Sequence, residues 1–181
     1  MKIYTKKGDH GETGTFGGTR IRKSFQKIAV IGTLDELNSW LGLINSYLEN
    51  SELNQIMQRE QEILFKIGAY LMMDHAVAEK SDYLLSAAEV EILETEIDLW
   101  TSKLASLKNF ILPGGTRAAC DTFIARSVCR RFEHELVALT DVEGVAPAIM
   151  QYVNRLSDWL FTLARYLNQL EGAKEVVWKA R

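Results

Sequence analysis

Apolar residues return at alternating steps of three and four along most of the chain, beginning with Leu34, Leu37, Leu41, Ile44 and Leu48. That spacing lays them on one face of an α-helix, because about 3.6 residues complete a turn. A second run passes through Leu53, Ile56, Ile63, Ile67 and Leu71 and is broken by Glu60, where an apolar residue would complete the series. A third opens at Ser86-Ala87-Ala88-Glu89, the spacing of a capping box, and continues through Val90, Leu93, Ile97, Trp100, Leu104 and Leu107. Pro113-Gly114-Gly115 then breaks the chain ahead of a fourth run of about 25 residues. Pro147 stands in the first turn of a fifth, where Met150, Val153, Leu156, Leu160, Leu163, Leu167 and Leu170 recur before Gly172. No alternating strand pattern runs over a comparable length. The spacing therefore predicts an all-α fold: a five-helix bundle over 25–172 of a single domain 1–181, with a glycine-rich N-terminal arm over 1–24 and a short tail over 173–181.

Composition narrows the class. Of 181 residues, 47% are hydrophobic, enough for one continuous core without disulfide staples. The 24 acidic and 21 basic residues leave a net charge of -3 with no block of like charge, which argues against a general nucleic-acid binder. No run of about 18 apolar residues occurs, and the polar N-terminus lacks the apolar centre of an export signal, so neither a membrane span nor export is predicted. Cys120 and Cys129 fall on one predicted helix with diverging side chains, and two unbridged thiols point to a reducing cytoplasm.

Candidate chemistry begins in the arm, where Gly8, Gly11, Gly14, Gly17 and Gly18 are five of the chain's twelve glycines. Thr5-Lys6-Lys7-Gly8-Asp9-His10-Gly11-Glu12-Thr13-Gly14-Thr15 combines hydroxyls and ammonium groups with glycines whose amides can approach a polyphosphate unobstructed. It has neither the Gly-Lys-Ser/Thr ending of a Walker loop nor a dinucleotide fingerprint, so the residues alone leave open both a phosphate loop and a disordered terminus. On the fourth helix Arg126, Arg130 and Glu133 share a stripe, far around the helix from Ile124 and Val128 and thus expected to face away from the core. An anion such as a triphosphate, or a neighbour's carboxylates, would relieve the paired guanidinium groups, and a solvated face is compatible too. Asp35 is one candidate partner for these arginines. It and Asn38 interrupt the first helix, as Asn154 and Asp158 interrupt the fifth, and polar groups beside a core call for partners. Phe110-Ile111-Leu112 ahead of Pro113-Gly114-Gly115 either anchors an ordinary turn or presents apolar surface to a flat ligand. His10, His75 and His134 match no spacing of a protein-held transition metal.

Four blocks in order carry a further signal. They are Ile3-Tyr4-Thr5-Lys6 with Gly8-Asp9 and Thr13-Gly14; Gly32-Thr33-Leu34-Asp35-Glu36-Leu37-Asn38-Ser39; Phe110 to Gly115; and Ala125-Arg126-Ser127-Val128-Cys129-Arg130-Arg131 with Glu133, followed by Asn154-Arg155-Leu156-Ser157-Asp158. Together they resemble the propanediol-utilisation (PduO) type of ATP:cob(I)alamin adenosyltransferases over nearly the whole chain. The resemblance implies transfer of the 5′-deoxyadenosyl group of ATP to cob(I)alamin, a corrinoid, forming adenosylcobalamin and releasing triphosphate. It implies a homotrimer with active sites between subunits. ATP with Mg²⁺ would be held by Thr5, Lys6, Lys7, Gly8, Thr13, Gly14, Lys23, Arg130, Glu133 and Asn154, with Glu133 near the Mg²⁺ or the ribose. Asp35 and Arg126 would form an intersubunit ion pair, and Phe110 would occupy the lower face of the cobalt, so that Phe110, Arg126, Arg130 and Asp35 make up the implied catalytic set. A cobalamin reductase and an adenosylcobalamin-dependent enzyme are the implied partners.

The chain departs from that pattern at three positions. Lys7 stands where threonine is expected, Glu12 brings a carboxylate into the arm, and Ile31 replaces a tyrosine. Lys7 and Glu12 either offset each other or leave Glu12 facing solvent. Two other readings remain at this level: a catalytically silent carrier or sensor of ATP and adenosylcobalamin with the same fold, and a helical interaction module without a small ligand. The second leaves the glycine-rich blocks unexplained.

Overall fold

The computed structural model describes residues 2–179; Met1, Ala180 and Arg181, at the ends of the expected arm and tail, lie outside them. The arm opens on β1 (Glu12–Gly14) and β2 (Arg20–Arg22), paired antiparallel with Thr13 opposite Ile21. There follow α1 (Gln26–Asn45), α2 (Ser51–Leu71), a single turn α3 (His75–Ala78), α4 (Ala87–Thr101), β3 (Ile111–Leu112), α5 (Arg117–Thr140), α6 (Pro147–Leu170) and β4 (Val176–Val177). The arm is thus more than a loop. Nor does the tail hang free, because β4 pairs antiparallel with β3.

Local chemistry explains where the helices start. The Asn50 side chain accepts hydrogen bonds from the amides of Glu52 and Leu53 at the head of α2. Ser86 and Glu89 close the anticipated capping box on α4, and the Thr116 hydroxyl accepts from Ala119 at the head of α5. Pro147 occupies the first turn of α6, where its missing N–H leaves no bond unmade. Between these starts α6 runs through the middle, packed on α5 and α4, while α1 packs on α5 and α2. Trp159, Tyr152, Phe132, Leu37, Met57 and Leu136, from four helices, are among the largest fully buried side chains.

Two expectations change. The third helix ends at Thr101, so Leu104 and Leu107 lie in the following loop. There the Ser102 hydroxyl donates to the Leu99 carbonyl (2.7 Å) and Arg165 donates to the Ala105 carbonyl (2.8 Å), giving the backbone partners outside a helix. Glu60, the apparent interruption of α2, is fully buried. It accepts hydrogen bonds from Arg59 and from the Tyr152 hydroxyl, while Arg59 also reaches Glu96 (2.7 and 2.8 Å) and the Trp159 indole donates to Glu96 (2.8 Å). Burial holds the Glu60 carboxyl above its usual range, against the opposing pull of Arg59. One polar cluster therefore joins α2, α4 and α6 inside an otherwise apolar core.

Candidate active site

The β1–β2 hairpin shapes a cavity of about 860 Å³ whose walls include Thr5, Lys7, Gly8, Thr13, Gly14 and Lys23. Gly11 and Gly18 take positive φ values of 79° and 83°, turning the chain where a side chain would be strained. Lys23 is drawn in by its own backbone, since its amide donates to the Gly11 carbonyl (2.8 Å), and its ammonium lies close to Gly8. Lys6 behaves differently: its φ is 59°, and its ammonium sits 5.9 Å from the Tyr4 ring centre, outside the cavity. Glu12 neither pairs with Lys7 nor stands free. It forms an ion pair with Arg20 (3.0 Å), whose guanidinium also donates to the Lys7 carbonyl (2.6 Å). His10, which sequence placed in the arm without a role, and Arg20, which it did not single out, line this cavity, although the alternation Arg20-Ile21-Arg22 marks a basic strand. The arm is fastened to the bundle by the Phe16 amide on the Met72 carbonyl (3.1 Å) and by Phe16 edge-on to Tyr83.

A second cavity, of about 1040 Å³, is walled by Phe110, Ile111, Arg126, Asp158, Phe161, Val177 and Trp178, with Leu107, Lys108, Asn109 and Lys179 at its margin. Phe110 is 80% exposed, so its segment presents apolar surface and does not anchor a turn in the core. Its ring meets Trp178 edge-on at 6.4 Å, and the Trp178 amide donates to the Phe110 carbonyl (2.8 Å). Sequence reading missed Trp178. The one available signal was the apolar triplet Val176-Val177-Trp178 in a tail otherwise rich in charge.

The charged stripe of α5 needs re-placing. Val128 is buried but Ile124 is 42% exposed, and the buried face of this helix is centred on Ala125, Cys129, Phe132 and Leu136. Arg126, Arg130 and Glu133 lie roughly 100° around from it, along the seam with α6 and not on the far side. There Asn154 donates to Glu133 (2.7 Å), and the Arg126 guanidinium covers the Phe161 ring at 5.4 Å. The Arg126 Nε is buried without a hydrogen-bond partner, and burial, followed by the neighbouring Arg130, lowers its pKa. Asp35 is exposed and makes no ion pair among the described residues; the pair joining α1 to α5 is Glu36 with Arg131. Asp158 pairs with Arg155 (3.1 Å), and the buried Asn38 exchanges hydrogen bonds with Gln61. Both cysteines are free, and burial pushes the Cys129 thiol far above its normal range.

The arm cavity and the aromatic cavity share no lining residue, and neither includes Arg130, Glu133 or Asn154. Among the described residues no three His, Cys, Asp or Glu side chains gather as a metal site. A lone carboxylate such as Glu133 suits Mg²⁺, which keeps waters and substrate phosphate oxygens and needs no all-protein cage.

Residues 3–167 match the model of the cobalamin adenosyltransferase family. A corrinoid adenosyltransferase of Bacillus subtilis is 40% identical over 183 residues, covering 99% of this chain and 93% of the relative. The human corrinoid adenosyltransferase is 35% identical, covering 98% of this chain and 73% of that protein. Among solved structures, a Phe-to-Ala variant of the PduO-type ATP:corrinoid adenosyltransferase of Lactobacillus reuteri, complexed with cobalamin and ATP, superposes with a TM-score of 0.92. It is 34% identical, and the match covers 99% of this chain and 100% of that one. The chain belongs to the cobalamin adenosyltransferase family.

Proposed function

We propose that the protein transfers the 5′-deoxyadenosyl group of ATP to the cobalt of cob(I)alamin, yielding adenosylcobalamin and triphosphate. The observation that carries the reading is a basic, glycine-walled cavity and a large aromatic cavity on one member of this family. The first suits a polyphosphate and the second a broad, flat ligand. The Lactobacillus reuteri relative, complexed with both cobalamin and ATP, supports the assignment. Conversion, and not silent carriage, agrees with the curated relatives, which are named as transferases.

In the reaction the Co(I) electron pair attacks C5′ of ATP, the C5′–O bond breaks, and triphosphate departs with the bonding pair. Cobalt is the nucleophile, so the protein supplies no general base; its work is to orient and to stabilise charge. Lys7, Lys23 and Arg130 stabilise the growing charge on the leaving triphosphate, with Thr5, Gly8, Thr13 and Gly14 wrapping the nucleotide; Lys6 joins them on swinging off the Tyr4 ring. Glu133, held by Asn154, would hold an Mg²⁺ arriving with ATP, which would supply charge neutralisation to the phosphates, or would orient the ribose. Phe110, projecting from β3's edge, occupies the lower face of the corrinoid and keeps an axial ligand out.

The separation of the two cavities within one chain supports a homotrimer whose active sites lie between subunits. So does the orphaned Arg126 Nε, whose guanidinium would pair with Asp35 of the partner subunit. A cytoplasmic location, a reductase that delivers Co(I), and an adenosylcobalamin-dependent enzyme that receives the product complete the reading. No helix among the described residues is long and apolar enough to cross a membrane.

The test is an anaerobic mixture of protein, cob(I)alamin and MgATP, followed by absorbance for adenosylcobalamin and by release of triphosphate. Equal amounts of the two products support transfer. Binding of both substrates with no spectral change would sink it in favour of the silent carrier.

A further inference from the structure

The aromatic cavity owes Phe110 and Trp178 to a ribbon of only two residue pairs, Ile111 with Val177 and Leu112 with Val176. So short a ladder does not hold its own geometry in water. Two buried polar side chains in the last turns of α6 reach it from below. Arg165, 6% exposed, donates through Nε to one Glu175 oxygen (2.6 Å) and through Nη2 to the other (3.1 Å), just ahead of β4. Its Nη2 also donates to the Ala105 carbonyl (2.8 Å), in the loop that leads to β3. Asn168, 2% exposed, donates to the Gly114 carbonyl (2.8 Å) and accepts from the Thr116 amide (2.9 Å), directly behind β3. Its own carbonyl accepts from Ala173 (2.8 Å) where the chain turns back toward β4. Gly115, with φ at 118°, makes room for this: a Cβ there would overlap the Asn168 amide.

We infer that Arg165 and Asn168 form a clamp that sets the β3–β4 ribbon on α6, making them positioning residues for the corrinoid cavity. The inference rests on the adenosyltransferase reading for its ligand, and its geometry stands without it. Three segments converge on α6: the Ala105 loop and the Gly114–Thr116 turn, on either side of β3, and the Glu175 tail ahead of β4. Between them these segments carry both strands of the ribbon that holds Phe110 and Trp178. A buried arginine bound through two of its nitrogens to one carboxylate fixes direction as well as distance, which a surface pair does not. Fixing that wall matters because a cavity that must hold a large flat ligand is degraded by displacements of an ångström.

Glu175→Ala releases the tail and leaves Arg165 its bond to the Ala105 carbonyl, and Glu175→Gln retains an acceptor for Arg165. Three quantities test the clamp: the melting temperature, the KM values for ATP and cob(I)alamin, and amide hydrogen exchange in the peptide covering Val176 to Lys179. The expected result for Glu175→Ala is a KM for cob(I)alamin raised about fivefold or more, a KM for ATP changed by less than about twofold, and faster exchange in that peptide. Glu175→Gln should fall between this variant and the parent. Unchanged exchange, or equal losses toward both substrates, would overturn the clamp. Should the parent protein form no adenosylcobalamin, the functional reading fails, while corrinoid binding by absorbance and the exchange measurement still decide the clamp.

Discussion

At the residue scale, the proposed roles of Phe110 and Glu12 come at little structural cost. Phe110 is so exposed that truncation removes hardly any buried surface. Phe110→Ala should cost less than about 1 kcal/mol of stability. With cob(II)alamin and a reductant it should nonetheless lose at least about tenfold more rate than with pre-reduced cob(I)alamin, because without the ring an axial ligand returns and Co(II) becomes harder to reduce. Equal losses from the two starting states would remove the wedge role. Glu12 is a contrasting case. Its pair with Arg20 has both side chains more than 40% exposed, so breaking it should change stability by less than about 0.5 kcal/mol. Glu12→Gln, however, removes the carboxylate from a cavity also lined by Lys7, Arg20 and Lys23. The KM for ATP should fall about two- to fivefold; a higher KM would mean that the pair shapes the arm more than its charge opposes the phosphates.

At the scale of elements, the five long helices were legible because they follow one rule, whereas the single-turn α3 and the ribbon were not, being too short to show a period. The three-and-four spacing of α6 leaves no other conformation able to bury Met150 through Leu167. Two-residue strands have no period, and β3 and β4 find each other across more than sixty residues only because Arg165 and Asn168 receive them. The charged stripe of α5 was misplaced for a related reason: Ile124 reads as core by type, yet neighbours decide burial. Glu60 likewise reads as a fault in α2 until Arg59 and Tyr152 are seen around it. The capping box of α4 was legible, being local, and it titrates. Burial would raise the Glu89 carboxyl, but hydrogen bonds from Ser86 and the charge-assisted contact with Lys66 bring it below its usual value. A depressed folded pKa means that the contribution is present above the unfolded value of 4.5 and disappears as pH falls through the folded one. Glu89→Ala should therefore cost about 1 kcal/mol at pH 7 in urea denaturation, and the gap from the parent should close as pH falls below 4.5. A gap constant with pH would assign the loss to helix propensity and not to the cap.

At the scale of the whole molecule, chemistry and geometry disagree within one chain, and the disagreement is informative. Cobalt must reach C5′ of ATP directly, so nucleotide and corrinoid have to meet. Yet the arm cavity and the Phe110 cavity have no wall in common, and Arg130, Glu133 and Asn154 border neither. The proposed ring of copies would resolve this if the arm of one subunit faced the α5–α6 seam of the next. Mixed assemblies then behave in a calculable way. Take one variant damaged in the arm, Lys23→Ala, and another damaged at the seam, Arg130→Ala, each inactive by itself. In a trimer containing both, the one interface that joins an intact arm to an intact seam is whole, and the other two are broken. Random mixing at equal amounts makes three-quarters of trimers mixed, so about a quarter of all sites recover. Coexpression of the two variants should accordingly restore about a quarter of parental turnover, measured per subunit. Were each site built within one chain, every copy would keep its defect and mixing would restore nothing, whatever the oligomeric state.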